Sequence, residues 1–155
     1  MSVRSDLPEI MDTTFCEVVE KVAFMFGDPV PLGDLDYPGA PLVHAAMSFD
    51  GPIQGSLALT VPLEMGTELA ANALGSDPDE SLSEEQAIDA INELLNVTCG
   101  QMVTALAGEK PAFDLTAPHA ALVAGDLWEG FCHAPNTQGY SVEEYPVLLQ
   151  LVLPE

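Results

Sequence analysis

Residues 89–100, Asp89-Ala90-Ile91-Asn92-Glu93-Leu94-Leu95-Asn96-Val97-Thr98-Cys99-Gly100, decide how this chain is read. Ile88, Ile91, Leu94, Leu95, Met102 and Leu106 recur at the three-to-four spacing of a helix with one buried face. Upstream, Ser83 and Gln86 stand at capping-box spacing, and downstream Gly108 marks a stop. On a helical wheel Asp89, Glu93, Asn96 and Gly100 fall at about 0°, 40°, 340° and 20°, whereas the apolar set centres at about 200°. The helix is therefore anchored from behind and presents this narrow polar stripe to solvent or to a partner.

Gly100 is the odd member of the stripe. A glycine inside a helix costs roughly 1 kcal/mol relative to alanine, and core packing makes no demand for a small residue on an outward face. Two readings stand at this point: an incidental surface glycine with a mild kink, or a place where another backbone must come close. A Glu and an Asn on an exposed face are in themselves ordinary, and a solvated surface explains them as well as chemistry does.

Working outward, Leu7, Ile10, Met11, Phe15, Val18, Val22, Met25 and Phe26 predict a first amphipathic helix that ends near Gly27-Asp28-Pro29. A Pro/Gly/Asp-rich loop, Pro29 to Pro41, follows. Leu42 to Phe49 and Ile53 to Val61 are rich in strand formers and are separated by the turn Asp50-Gly51-Pro52. Leu63 to Leu74 predicts a short helix stopped at Gly75, and Ser76 to Ser81 an acidic loop. After the second long helix, Ala120–Ala124 and Val147–Leu153 read as strands among Gly- and Pro-bearing loops. The class is α+β.

The length of 155 residues suits one domain with a real core. Its two halves, 1–75 and 76–155, share an order of long helix, loop and strands. Laying Thr13 on Asp89 also lays Glu17 on Glu93, Glu20 on Asn96 and Phe24 on Gly100. A pseudo-duplication is the expectation.

Composition narrows the function classes. The net charge of −22, with three cations, Arg4, Lys21 and Lys110, against 25 acids, excludes the Lys/Arg clusters that nucleic acid or anionic lipid requires. A basic protein surface is a consistent partner, and adaptation to salt explains the acidity equally well. No apolar run reaches the roughly 18 residues of a membrane span. Met1 to Pro8 lacks an apolar signal core, so the expected location is the cytoplasm. Cys16, Cys99 and Cys132 have neither metal-site nor disulfide-framework spacing and read as reduced, mostly buried thiols. His44, His119 and His133 are scattered, and His119 beside Pro118 reads as a loop or strand residue. There is no phosphate-binding or dinucleotide glycine loop, and the run Asp77-Pro78-Asp79-Glu80 lacks the EF-hand pattern.

The series Asp89, Glu93, Asn96 and Gly100, with Pro118 beyond it, resembles the signature of the CheC/CheX/FliY chemotaxis phosphatases, which dephosphorylate the response regulator CheY. Phe49-Asp50-Gly51-Pro52-Ile53-Gln54-Gly55-Ser56-Leu57 is similar to the first hairpin of that family, and Leu74-Gly75 to the end of its following helix. Thr116-Ala117-Pro118 through Gly125 is similar to a later strand. The resemblance implies a CheC-like fold of pseudo-duplicated helix-plus-antiparallel-strand units, with two long helices on a β-sheet. It further implies a CheX-like homodimer with one site per chain. On the first helix Glu20 replaces the Asn, adding a charge that repels phosphate, and Phe24 replaces the Gly, so that helix is expected to be inactive.

The implied activity is hydrolysis of the aspartyl phosphate on a CheY-like receiver domain. Asn96 would orient the attacking water with a neutral amide that both donates and accepts. Glu93 would contact a lysine of the partner. Asp89 and Gly100 would border the partner, Asp89 as partner contact or helix support and Gly100 as the point of close approach. No cofactor is expected on this chain, with Mg2+ held by the phosphorylated partner. One alternative is a non-catalytic dimeric adaptor that binds a receiver domain or a flagellar-switch component. A second is an acidic small-molecule or cation-binding domain in which the stripe is merely solvated.

Overall fold

The computed structural model describes residues 6–37, 39–51, 53–74, 82–107 and 114–153. Four α-helices appear among them: α1 (Leu7–Ala23), α2 (Leu63–Leu74), α3 (Glu84–Ala107) and the short α4 (Trp128–Cys132). The strands are β1 (Gly27–Val30), β2 (Leu42–Asp50), β3 (Gly55–Pro62), β4 (Asp114–Leu115), β5 (His119–Val123), β6 (Thr137–Val142) and β7 (Tyr145–Val152). They form one antiparallel sheet in the order β1-β6-β7-β3-β2-β4, with β5 also paired to β2. The α+β class follows directly.

Register places the core. Val43, Ala45 and Met47 of β2 pair with Val61, Leu59 and Leu57 of β3. Leu59 and Leu57 in turn pair with Leu149 and Leu151 of β7. Alternate residues of a strand share a face, so these residues make one continuous apolar surface. Phe15 and Val19 of α1, Met65 of α2 and Ile91, Leu95 and Met102 of α3 bury against it. The opposite face carries a smaller cluster of Leu42, Trp128 and Leu148, covered by Phe131 of α4.

The first helix ends earlier than its apolar spacing suggests. It stops at Ala23, and Phe24 takes the left-handed conformation (φ 56°) of a helix terminus. Met25 N–H donates to the Val19 carbonyl at 3.1 Å, and Asn72 of α2 donates to the Ala23 carbonyl at 2.8 Å. From Phe24 the burial pattern switches to period two: Phe24 and Phe26 are exposed and Met25 is buried. The chain then enters β1, which pairs with β6, so the expected loop from Pro29 begins as strand. β3 likewise starts at Gly55 rather than Ile53, and β4, β6 and α4 are additions to the sequence reading. The three other predicted strands, β2, β5 and β7, and the short helix α2 stand within two residues of where they are expected. Pro52 of the hairpin turn, Gly75, the acidic loop 76–81, the expected stop at Gly108 and residues 1–5 lie outside the described residues.

Gly66 of α2 has a plain packing reason. A Cβ there would stand 2.7 Å from the Ala87 carbonyl oxygen and 2.7 Å from Ile91 Cδ1, both on α3. His44 of β2 points to the other face, where its ring stacks on Phe131 at 4.5 Å and 3°. Its Nδ1 lies 2.8 Å from Thr60 Oγ1. Burial holds its pKa below the ordinary 6.5.

Two outcomes follow. Gly66→Ala forces α2 off α3 and lowers unfolding free energy by about 1–3 kcal/mol, measured by chemical denaturation. His44 stays neutral in the folded chain while the unfolded chain takes up a proton near pH 6.5. The folded state therefore binds fewer protons, and this contribution to stability is lost as pH falls below that value. Melting temperatures compared across that range show the steeper decline in the native chain and a shallower one in His44→Gln.

Candidate functional site

Helix α3 begins as its sequence indicates. Ser83 N–H donates to Gln86 Oε1 at 2.9 Å, and Gln86 N–H donates to Ser83 Oγ at 3.1 Å, the reciprocal pair of a capping box. Glu84 and Glu85 in the first turn complement the helix dipole. Ala87, Ile91, Leu94, Leu95, Cys99, Met102 and Val103 bury one face. On the outward side Asp89, Glu93 and Asn96 are exposed and Gly100 is partly covered. At 1.5 Å per residue the stripe is about 16 Å long.

The stripe serves no neighbour of its own. Among the described residues, Asp89, Glu93 and Asn96 have no side-chain hydrogen bond or ion pair. A Cβ on Gly100 would meet no atom within 4 Å beyond its own stretch of helix, the reverse of the situation at Gly66. Gly100 is therefore not required by internal packing. Its carbonyl accepts a bond from Thr104 Oγ1 at 3.0 Å, so the open position is framed by a small polar side chain one turn on.

Asn92, which the sequence reading passed over, flanks the stripe at about 300° on the same wheel. Its Oδ1 is buried and has no hydrogen-bond partner among the described residues. The signal available in sequence was a second Asn one turn before Asn96. On α1, the positions laid on the stripe diverge from it. Thr13, Glu17 and Glu20 are exposed, but Phe24, itself 71% exposed, sits at the helix terminus, where α3 continues through Gly100.

Other chemistries find little support. Burial pushes the Cys16 thiol to about 11, with Asp12 and Asp28 adding to the effect, and burial alone pushes Cys99 to about 11. All three cysteines are free, and Cys132 is likewise raised by burial. Thiols held protonated are poor nucleophiles. His119 lies exposed on β5, and His133 Nδ1 stands 2.7 Å from the Glu129 carbonyl oxygen. Among the described residues no three His, Cys, Asp or Glu side chains cluster closely enough to hold a metal ion. No described helix is long and apolar enough to cross a membrane.

What the arrangement offers is a rigid helix with an amide and two carboxylates on an open face. Comparison with known proteins places it. Several solved structures share the fold, three of them as follows. CheX from Vibrio vulnificus superposes with a TM-score of 0.68 at 16% identity, covering 99% of this chain and 100% of the other. CheX in the CheX–CheY–BeF3–Mg2+ complex from Borrelia burgdorferi gives 0.65 at 15%, covering 98% and 100%. A CheC-like superfamily protein from Shewanella sp. PV-4 gives 0.62 at 18%, covering 99% and 100%. A sequence search of curated proteins finds no match. The family model described as chemotaxis phosphatase CheX matches residues 43–124, which run from β2 through β5 and include all of α3. The chain belongs to the CheX chemotaxis phosphatase family.

Proposed function

We propose that this chain hydrolyses the aspartyl phosphate of a CheY-like receiver domain, with the α3 stripe as the surface that enters the partner's site. One observation carries the reading: the family-matched helix holds an exposed Glu and Asn whose side chains nothing within the described chain uses, with an open Gly one turn on. The partner is argued from the relative solved as a CheX–CheY complex.

Phosphoryl transfer asks a protein mainly for positioning and charge stabilisation. Asn96 orients water in line with the scissile P–O bond, its amide offering donors and an acceptor without negative charge. Glu93 meets a lysine of the receiver, a charge-assisted contact that fixes register. Gly100 leaves room for the receiver's loops. Asp89 supports the amino-terminal half of the helix. Mg2+ belongs to the phosphorylated receiver and not to this chain. α1 is inactive in this account, because Glu20 brings a carboxylate where an amide is needed and Phe24 a ring where clearance is needed. The working form is a cytoplasmic homodimer with one site per chain.

The test is phosphate release from a panel of phosphorylated receiver domains. The native chain accelerates release from at least one, and Asn96→Ala slows it on the order of 10²-fold with folding unchanged. Glu93→Gln raises KM more than it lowers kcat. Binding without acceleration identifies the adaptor instead, and an Asn96→Ala rate equal to that of the native chain overturns the mechanism.

A further inference from the structure

Between α1 and α3 runs a groove of about 330 Å³, walled by Thr13, Glu17 and Lys21 on one side and by Val97, Gln101 and Thr104 on the other. On the α3 wheel Thr104, Val97 and Gln101 stand at about 60°, 80° and 120°. The groove therefore begins where the stripe ends, on the side next to Glu93 and Gly100. A transient protein complex buries on the order of 600 Å² per partner, more than four stripe positions supply. A body seated on Asn96 must spread onto neighbouring surface.

The groove carries two charged side chains, Glu17 and Lys21, and Lys21 is the unusual one. It is the one Lys or Arg among the described residues of a chain with net charge −22. It stands one turn from Glu17 on α1, yet forms no ion pair among the described residues. A receiver that holds Mg2+ beside its aspartyl phosphate must supply carboxylates there, so acids stand close to the phosphate that Asn96 approaches.

We propose that the α1–α3 groove is the second half of the receiver-docking surface, taking an acidic edge of the receiver with Lys21 opposite a carboxylate. This rests on the receiver-phosphatase reading above. Two charges of opposite sign then stand beside Asn96, on the groove side of the stripe: Glu93 faces a cation of the partner and Lys21 an anion. Two contacts of opposite sign fix orientation better than one and disfavour receivers with a different charge pattern. Lys21 also lies in the last turn of α1, where a cation complements the helix dipole. That role affects stability and leaves affinity untouched, so affinity is the quantity to read.

The experiment measures the Kd of the full chain for CheY-type receiver domains loaded with Mg2+ and beryllium trifluoride, a stand-in for the phosphoryl group. Lys21→Glu weakens binding about tenfold at low salt, and the difference shrinks at high salt as screening predicts. Gln101→Trp fills the groove and weakens binding at both salt concentrations. Asp126→Trp, in the turn leading into α4, leaves Kd unchanged. Native-like affinity in both Lys21→Glu and Gln101→Trp, with the native chain binding, overturns the groove assignment alone. Failure of the native chain to bind any loaded receiver overturns it together with the receiver reading.

Discussion

Helix α3 is held to the sheet by Ile91, Leu94, Leu95, Cys99 and Met102, all within 1% of complete burial, and the remaining elements are arranged around that contact. α2 can lie against α3 because Gly66 offers no Cβ to the Ala87 carbonyl and Ile91. α1 packs beside it over the same apolar surface of β2, β3, β6 and β7. With one face fixed so thoroughly, the opposite face has a defined direction and few duties. A helix of 24 residues anchored along its length is a stiff support, which is what a surface acting by position requires.

Gly66 and Gly100, the glycines of α2 and α3, separate structural need from functional use. Both residues carry the same intrinsic penalty of about 1 kcal/mol. At Gly66 the penalty is offset by close packing of α2 on α3. At Gly100 nothing within the described chain offsets it, since a side chain there would stand in open space. Gly130 of the short α4 is open in the same way, so at Gly100 it is the neighbouring Asp89, Glu93 and Asn96 that point to a partner-facing surface. The same contrast applies to the acids, whose exposed carboxylates on α3 take no internal partner.

How legible the fold was in sequence depended on whether a signal was local. α3 was legible because its apolar period and its Ser83/Gln86 cap are written within a few residues of where they act. The end of α1 was not. Val22, Met25 and Phe26 continue the helical spacing, while the alternation of exposed Phe24, buried Met25 and exposed Phe26 has meaning only once β1 is seen beside β6. β6 was obscured by Gly139, a poor strand former whose smallness is explained by Leu35 and Leu32 packed over it. The stripe itself was read from periodicity, and the family resemblance supplied its roles. Asn92 and the groove needed the structure, because one depends on burial of a single oxygen and the other on two helices far apart in sequence.

The central claim is that α3 sacrifices stability at its outward face so that another protein can approach. Gly100→Leu tests it most directly, with thermal unfolding and phosphate release from a phosphorylated receiver measured on the same preparation. The expected melting temperature equals or exceeds that of the native chain, since leucine is the better helix former by about 1 kcal/mol, and phosphate release falls at least roughly tenfold through misplacement of the partner. A Gly100→Leu chain that releases phosphate at the native rate would contradict it.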